Sequence, residues 1–165
     1  MEITGNLHNF QIKKDCNSSS WVREKISEEW LEPGIYTWVA PLTCKISLQV
    51  AGGGGGGCLY NLLGSEKYAT GGNGELIEQT VYIEKNTQYQ IKVGKGGLGS
   101  TSLNLNFQSE NGEESYFDSI MAQAGTFCAI TSKEIIEGES KGNGLGGQGG
   151  YGSENGENGY VKILQ

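Results

Sequence analysis

The sequence predicts an all-β protein, an antiparallel β-sandwich of jelly-roll type with an interleaved bundle of polyglycine-II helices. Two observations support this fold class. Beyond residue 33, apolar and polar residues alternate with a period of two in several short segments, as they do in half-buried strands. The glycines are concentrated in the same region, since only Gly5 and Gly34 of the 28 precede residue 52. Strands and glycine tracts therefore have to be explained together.

The alternating segments are the first element of this prediction. In the segment 45–50, Ile46, Leu48 and Val50 fall on one face and polar residues fall on the other. Residues 84–87 have the composition of a hairpin turn. Several short strands separated by turns favour a two-sheet sandwich. The predicted strands are 35–40, 45–50, 77–83, 88–93, 116–122 and 160–164, whereas 133–137 shows a weak helical pattern.

The glycine tracts are the second element. Each glycine costs about 0.5–1 kcal/mol of backbone entropy relative to alanine, so the tracts are either disordered or folded in a way that only glycine permits. Between Gly138 and Gly159, glycine recurs at nearly every third position. A helix with three residues per turn then has one bare side, and such sides can pack and exchange lateral hydrogen bonds. We therefore predict ordered polyglycine-II helices. The tracts are 52–57, 71–74, 94–99, 142–152 and 156–159.

The N-terminal segment differs from the remainder in composition. We predict an arm at residues 1–31 that serves as an attachment segment, and a glycine-rich sandwich domain at 32–165. Residues 21–30 permit a short amphipathic helix because apolar residues recur there at intervals of four, although tryptophan and valine also favour a strand. We expect Trp21 and Trp30 to make assembly contacts. The residues at intervals of four are Val22, Ile26 and Trp30.

Bulk composition excludes several classes of partner. The net charge of -7 argues against binding to a nucleic-acid backbone or an anionic membrane. No apolar stretch approaches the roughly 20 residues of a membrane span, so we expect no membrane insertion. The first residues lack the profile of a signal peptide, and we expect the chain to be made in a cytoplasm.

Catalytic motifs are also missing from the sequence. His8 is the single histidine, and no nucleophile is paired with a base, so we expect no enzymatic activity, no cofactor and no metal ion. The segment 94–99 fits G-x-G-x-x-G, but a dinucleotide site needs a helix after it, and an extended pattern follows instead. The four cysteines form no C-x-x-C pair. We expect free thiols packed as small hydrophobic residues.

The order of these segments resembles a family of glycine-rich domains in bacteriophage tail-fibre and tail-tip proteins. The resemblance covers residues 32–165. It implies a β-sandwich with a glycine-helix bundle, in a virion tail protein that is made in the host cytoplasm and contacts the host surface. It also allows a homotrimer, for which the sequence contains no heptad repeat. The matching segments are 34–41, 46–57, 71–83, 89–97, 115–122 and 146–163.

Receptor binding is the function that this resemblance implies. Residues 59–63 lie between glycine tracts and are too apolar to be exposed without purpose, and tyrosine combines an apolar ring with a hydroxyl group. The alternative for Tyr60, Leu62 and Leu63 is a core or oligomer contact. The expected partners are a host cell-surface glycan or outer-surface protein and other virion tail proteins. The candidate receptor-binding residues are Leu59, Tyr60, Asn61, Leu62, Tyr68 and Tyr151.

Two other functions compete with receptor binding. The chain could be a decoration or connector protein of a phage particle or tail-like machine, without a receptor of its own. Deleting residues 1–30 separates the two hypotheses, because only particle incorporation depends on an attachment arm. Ice binding by a flat glycine-helix face is disfavoured, since Lys141, Glu154 and Glu157 interrupt the regular surface that it needs.

Overall fold

The computed structural model describes residues 26–165, and all regular secondary structure in that range is β-strand. This confirms the all-β prediction. The strands are β1 Ser27–Trp30, β2 Gly34–Val39, β3 Cys44–Ala51, β4 Cys58–Leu62, β5 Ser65–Ala69, β6 Leu76–Ile83, β7 Gln88–Val93, β8 Ser100–Ser102, β9 Phe107–Gln108, β10 Ser115–Phe117, β11 Ile120–Ala122, β12 Ala129–Ile130, β13 Ile135–Ile136 and β14 Tyr160–Leu164.

Two four-stranded antiparallel sheets share the larger hydrophobic core. Their strand orders are β1-β14-β3-β6 and β11-β10-β7-β2. The alternation predicted for β3 is confirmed, because Ile46, Leu48 and Val50 are buried while Lys45 and Ser47 are exposed. Both sheets contribute to one cluster, which removes their apolar faces from water. Its buried members include Trp38, Leu48, Ile83, Ile91, Phe117, Val161 and Ile163.

A second, smaller core lies in the remaining two sheets, which have three strands each. Their orders are β5-β4-β8, in which β4 and β8 run parallel, and β13-β12-β9. We call this end of the molecule the tip and define it as residues 58–70, 100–108, 129–136 and 151–152. The buried apolar residues of this second core are Cys58, Tyr60, Ala69, Ile130 and, directly before the tip, Cys128.

Eight extended segments without strand pairing connect the larger core to the tip. The chain crosses between the two ends in alternating directions, so each strand of one end leads into a strand or turn of the other. We call 52–57 the central segment, 138–141 the flanking segment and the other six the outer segments. The outer segments are 71–75, 94–99, 109–114, 123–128, 146–150 and 153–159.

The central segment is hydrogen-bonded on three sides with a period of three. The N–H groups of Gly52 and Gly55 donate to the outer segment 71–75, those of Gly53 and Gly56 donate to 109–114, and the remaining two donate to 153–159, all at 2.8 to 3.0 Å. Its carbonyl groups accept bonds from the other three outer segments and, at Gly56 and Gly57, from the Ser109 hydroxyl and the Ser100 N–H as well. Six segments therefore surround one, and no backbone group of the central segment depends on water.

The outer segments also bond to one another and close a ring. Each outer segment is hydrogen-bonded to the next, and the last is bonded to the first. Their order round the ring is 71–75, 146–150, 153–159, 94–99, 109–114 and 123–128. The flanking segment packs outside this ring, where Gly138 donates to Thr70 and Lys141 donates to Asn73. The closed ring fixes the lateral position of every crossing.

Close approach, not backbone conformation, explains most of the glycines. From Gly52 onward, a Cβ atom would lie closer than 3.0 Å to a backbone atom of a neighbouring segment at every glycine except Gly64, Gly142, Gly144 and Gly152. Real Cβ atoms essentially never show such contacts. The four exceptions have positive φ angles, and they turn the chain.

Three local predictions are wrong. The tract from Gly138 to Gly159 is not one helix, because positive φ angles at Gly142, Gly144 and Gly152 reverse the chain and divide it into three crossings. Residues 116–122 form the hairpin β10–β11, with Asp118 at a φ of 52° in its turn. Residues 133–137 contain strand β13 and no helix, since Ile135 and Ile136 pair with β12.

Part of the predicted arm takes part in the first sheet. Strand β1 pairs with β14 over four residues, from Ser27 opposite Leu164 to Trp30 opposite Val161. The helix considered for 21–30 is thus a strand from residue 27 on. The remaining predictions for the arm, including the roles of Trp21, His8 and Cys16, lie outside the described residues.

Candidate functional site

The tip is built from four chain reversals that the extended segments hold side by side. They are the turn at 63–64, the loop at 103–106, the turn at 131–134 and the turn at 151–152. The first lies in the β4–β5 hairpin, the second connects β8 to β9, and the third connects β12 to β13. Because each reversal connects two of the extended segments, its position is set by the backbone of the segments beneath it.

A buried polar network joins the tip to the central segment. The Ser109 hydroxyl group donates to the carbonyl of Gly56 at 2.6 Å and accepts from the N–H of Cys128 at 3.0 Å. The Cys58 thiol donates to the carbonyl of Cys128 at 2.9 Å. Every buried side-chain polar atom in residues 26–165 has a hydrogen-bond partner, so the interior of the tip is satisfied without a ligand.

The buried thiol of Cys128 is unsuited to nucleophilic chemistry. Burial raises the pKa of Cys128 to about 12, and the hydrogen bond from Cys58 adds to the shift. A thiol with such a pKa is protonated at neutral pH and is a poor nucleophile. Cys44, Cys58 and Cys128 are free cysteines, and for Cys58 and Cys128 this confirms the expected packing as small hydrophobic residues.

Two tyrosines form a stacked pair on the surface of the tip. The rings of Tyr68 and Tyr151 lie 5.5 Å apart between centroids with an interplanar angle of 12°. The Tyr68 hydroxyl donates to the carboxylate of Glu66, which raises the pKa of Tyr68. Glu66 also accepts from the Asn61 amide at 2.8 Å. The pair joins the first reversal to the fourth, although the two tyrosines are far apart in sequence.

Exposed aliphatic side chains also lie at the tip. Leu63 is 98% exposed and occupies the outermost position of the β4–β5 hairpin. Isolated exposed apolar residues are normal on protein surfaces, but several at one end of a molecule are typical of a binding surface. The others at the tip are Leu62, Leu103, Ile135 and Ile136.

Most of the chain matches a known protein family. The model of the glycine-rich domain matches residues 31–162. The chain belongs to this family. No curated protein matches it. The matched range of the glycine-rich domain includes all eight extended segments and the whole tip.

The glycine-rich domain brings most of the predicted site residues to one end. Tyr68 and Tyr151 touch and are 39% and 58% exposed. Leu62 is exposed, Leu59 and Asn61 are half-buried, and Leu59 pairs with Tyr68 across the hairpin. Tyr60 is buried in the tip core, which agrees with the core alternative stated for it. Tyr60 thus packs beneath the exposed surface and has little area that a ligand could contact.

Leu63 belongs to the predicted apolar loop 59–63 but is not among the candidate receptor-binding residues. The sequence contained a signal for the exposed position of Leu63. Leu63 and Gly64 are the two residues between β4 and β5, and a two-residue loop is a common β-hairpin connection. The mixed composition of residues 58–69 concealed the strands. Trp30, predicted as an assembly contact, packs edge-on against Trp38 at 6.4 Å between ring centroids and is partly buried on the larger core.

Other candidate sites in the glycine-rich domain are weak. A shallow groove of about 370 Å³ runs between two outer segments, lined by Asn111, Glu114, Met121 and Gln123 among others. Within residues 26–165, no group of three or more His, Cys, Asp or Glu side chains is placed to hold a metal ion. The same residues contain no helix long and apolar enough to cross a membrane.

Proposed function

We propose that this glycine-rich domain is a non-enzymatic tail-fibre or tail-tip protein of a bacteriophage, and that its tip binds the surface of the host cell. In this proposal the two four-stranded sheets form a jelly-roll-like sandwich, and the eight extended segments form a bundle of polyglycine-II helices. The period of three in the hydrogen bonds of the central segment supports such helices, which have three residues per turn.

The observation that carries the proposal is the separation of the two ends. Ile26 accepts a hydrogen bond from the N–H of Gln165 at 3.0 Å, so the first described residue lies at the far end of the larger core. The exposed tyrosine pair and aliphatic side chains lie at the tip, beyond the extended segments. A domain attached through its N-terminal side would therefore present the tip outward on a support with a hydrogen-bonded backbone.

A decoration or connector role is the second candidate, and a different surface favours it. The larger core exposes apolar side chains on its outer faces, among them Ile35 at 65%, Val39 at 54% and Tyr82 at 61%. Ile35 and Val39 lie on β2, which forms one edge of its sheet, and an edge strand has free backbone groups for pairing. These residues are candidates for contacts with other virion proteins or between three copies of the chain.

Cell binding by the labelled protein tests the proposal. We expect the full-length chain to bind cells in a panel of bacteria, and a Tyr68→Ala/Tyr151→Ala variant to lose that binding while remaining folded. Both side chains are partly exposed and lie outside the tip core, so the cost in stability should be small. The matched control is Tyr82→Ala, which removes an equally exposed tyrosine from the other end.

The outcomes separate the two functions. Binding that survives in the double variant but is lost in Tyr82→Ala would place recognition on the larger core and contradict our proposal. Absence of binding to every strain, together with incorporation into particles that depends on residues 1–30, would support the connector role.

A further inference from the structure

We propose that the tip recognises a protein and not a glycan, by inserting Leu63 into an apolar pocket that has a basic rim. This inference rests on the proposed function, because it names the partner class for the same surface. It depends on three features of the tip: the conformation of the Leu63 turn, the aliphatic residues beside it and the charge around it.

The turn holds Leu63 in an unfavourable conformation without any internal benefit. Leu62 pairs with Ser65 across the hairpin, and the two residues between them have φ angles of 50° and 81°. Positive φ at both positions is the mark of a type I′ turn, which favours Asn or Gly at the first of them. A bulky residue there is uncommon and strained. Leu63 is also 98% exposed, so packing within the chain does not offset the strain.

Leu63 does not stand alone. Strand β8 runs parallel to β4 with Ser102 opposite Tyr60, so Leu103, 63% exposed, follows directly beside the end of β4. Leu62 precedes Leu63 and is 40% exposed. An aliphatic side chain cannot form the hydrogen bonds that sugar hydroxyl groups require. A protruding leucine with a surrounding apolar rim is the form of an anchor residue for a pocket on a protein.

The aromatic pair supports the same conclusion. Tyr68 and Tyr151 each turn one face towards the other, so at most the outer face of each ring is free for a sugar. The Tyr68 hydroxyl is already occupied by Glu66. The pair thus stiffens the base of the hairpin and leaves the aliphatic side chains as the main apolar surface.

Charge determines which pocket complements this surface. The tip itself contains two glutamates and two lysines. Two further glutamates make its surroundings acidic, because the Glu137 carboxylate accepts from the N–H of Thr70 and the N–H of Glu154 donates to Tyr151. The chain as a whole is also acidic, with a net charge of -7. An acidic rim is attracted by a basic one and repelled by anionic lipid or polysaccharide, so complementary potentials select the partner. The residues are Glu66, Glu134, Glu137 and Glu154 against Lys67 and Lys133.

The substitution Leu63→Asn tests the anchor without risk to the fold. Asparagine suits the positive φ, so we expect the midpoint of thermal unfolding to stay the same or rise, while affinity for the bound cells falls at least about tenfold. The matched control is Leu145→Asn, since Leu145 is 65% exposed in the turn at the opposite end and should leave binding unchanged. Unaltered binding by the Leu63→Asn variant would overturn the proposal.

Treatment of the cells identifies the chemical class of the partner. We expect binding of the full-length protein to disappear after protease treatment, to survive periodate oxidation of glycans and to weaken as salt is added. Binding that is sensitive to periodate, or that survives both treatments and points to lipid, contradicts the protein receptor but leaves the proposed function intact. If the protein binds none of the strains even before the cells are treated, the proposed function and this inference fail together.

Discussion

The central segment and the outer segment 153–159 are both glycine-rich, but they use glycine differently. The central segment is glycine at each of its six positions, and all six residues are buried. In 153–159, glycine occurs at Gly156 and Gly159 only, and the residues between them are exposed. Both segments are extended and hydrogen-bonded, so backbone conformation does not explain the difference.

The number of neighbouring segments explains this difference in glycine content. Every residue of the central segment faces one of six surrounding segments, and each Cβ would meet a backbone atom. In 153–159, only every third residue faces the central segment. Gly156 would place a Cβ against the carbonyl of Gly54, whereas Glu154 and Asn155 direct their side chains outward. Glycine content therefore measures how much of a segment is enclosed by other backbones.

Each residue of a three-residue unit in the outer segments therefore has a different structural role. In residues 154–156, the Glu154 carbonyl accepts from the central Gly57, the Asn155 amide oxygen accepts from Gly99 of the next outer segment, and Gly156 packs on the centre. The same Glu-Asn-Gly order occurs at 110–112 with the same roles, and at 157–159, where Gly159 packs on Ala51 directly before the central segment.

The largest expected effect is the loss of stability when a methyl group is added to the centre. In Gly54→Ala, the Cβ would meet the carbonyl of Gln148, which the closed ring holds in place. We expect a loss of about 3 kcal/mol or more in the free energy of unfolding, measured by urea denaturation. Gly156→Ala should show a comparable loss, because its Cβ points at the same central residue.

The matched control for this test is Glu154→Ala. Its side chain is exposed and only its backbone takes part in the ring, so the change should stay within about 0.5 kcal/mol. A scan of both segments should thus find every central position intolerant of alanine and only every third outer position intolerant. Equal tolerance in the two segments would contradict the enclosure argument.

The second test concerns a polar contact between the centre and an outer segment. Ser109→Ala removes the hydroxyl that bridges the carbonyl of Gly56 and the N–H of Cys128. Both groups are buried, so we expect a loss of about 1–3 kcal/mol on thermal or urea unfolding. Ser119→Ala, at an exposed position, should have no measurable effect. A neutral Ser109→Ala variant would show that water replaces the hydroxyl.

The strands of the larger core could be predicted from the sequence because one of their faces is buried and the other is wet. That condition produces the alternation seen at Ile46, Leu48 and Val50. Strands β12 and β13 of the tip were not predicted, because they have two residues each. A period of two cannot be recognised over so short a length.

The number of crossings could not be predicted from glycine composition either. Gly147 packs on the centre, whereas Gly144 turns the chain at a φ of 64°, and the residue type is the same for both purposes. The Glu-Asn-Gly units were a usable signal for the outer segments, since the asparagine has a distinct role. The candidate receptor-binding residues were predicted from composition, and Leu63 is not among them because its exposure and φ depend on the pairing of β4 with β5.

A third, smaller effect distinguishes the outward asparagines from the inward glycines. Asn158→Ala removes the acceptor of the Gly96 N–H, which lies at 3.0 Å from the amide oxygen. Water can reach this group, so we expect a loss of only about 0.5–1 kcal/mol. Hydrogen exchange measured by NMR should become faster at Gly96 and stay slow at Gly54. Gln148→Ala, which alters another exposed outward side chain, should leave both rates unchanged.

The smallest expected effect is electrostatic and lies on the outward side of an outer segment. Glu114 accepts a hydrogen bond from Lys92 at 2.7 Å, and this bond holds the pKa of Glu114 below its ordinary value. A depressed carboxyl pKa contributes stability above the pKa of the unfolded chain and loses it as the pH falls through the folded value. Because both side chains are partly exposed, Glu114→Gln should cost at most about 1 kcal/mol at neutral pH.

The pH dependence of this difference is the decisive measurement. The stability difference between the original chain and Glu114→Gln should shrink below about pH 4, where the carboxyl becomes protonated, and should also shrink in high salt. The control is Glu110→Gln, an exposed carboxylate in the same segment, which should show no such dependence. A cost for Glu114→Gln as large as that of Gly54→Ala would mean that outward side chains, and not backbone enclosure, hold the outer segments in place.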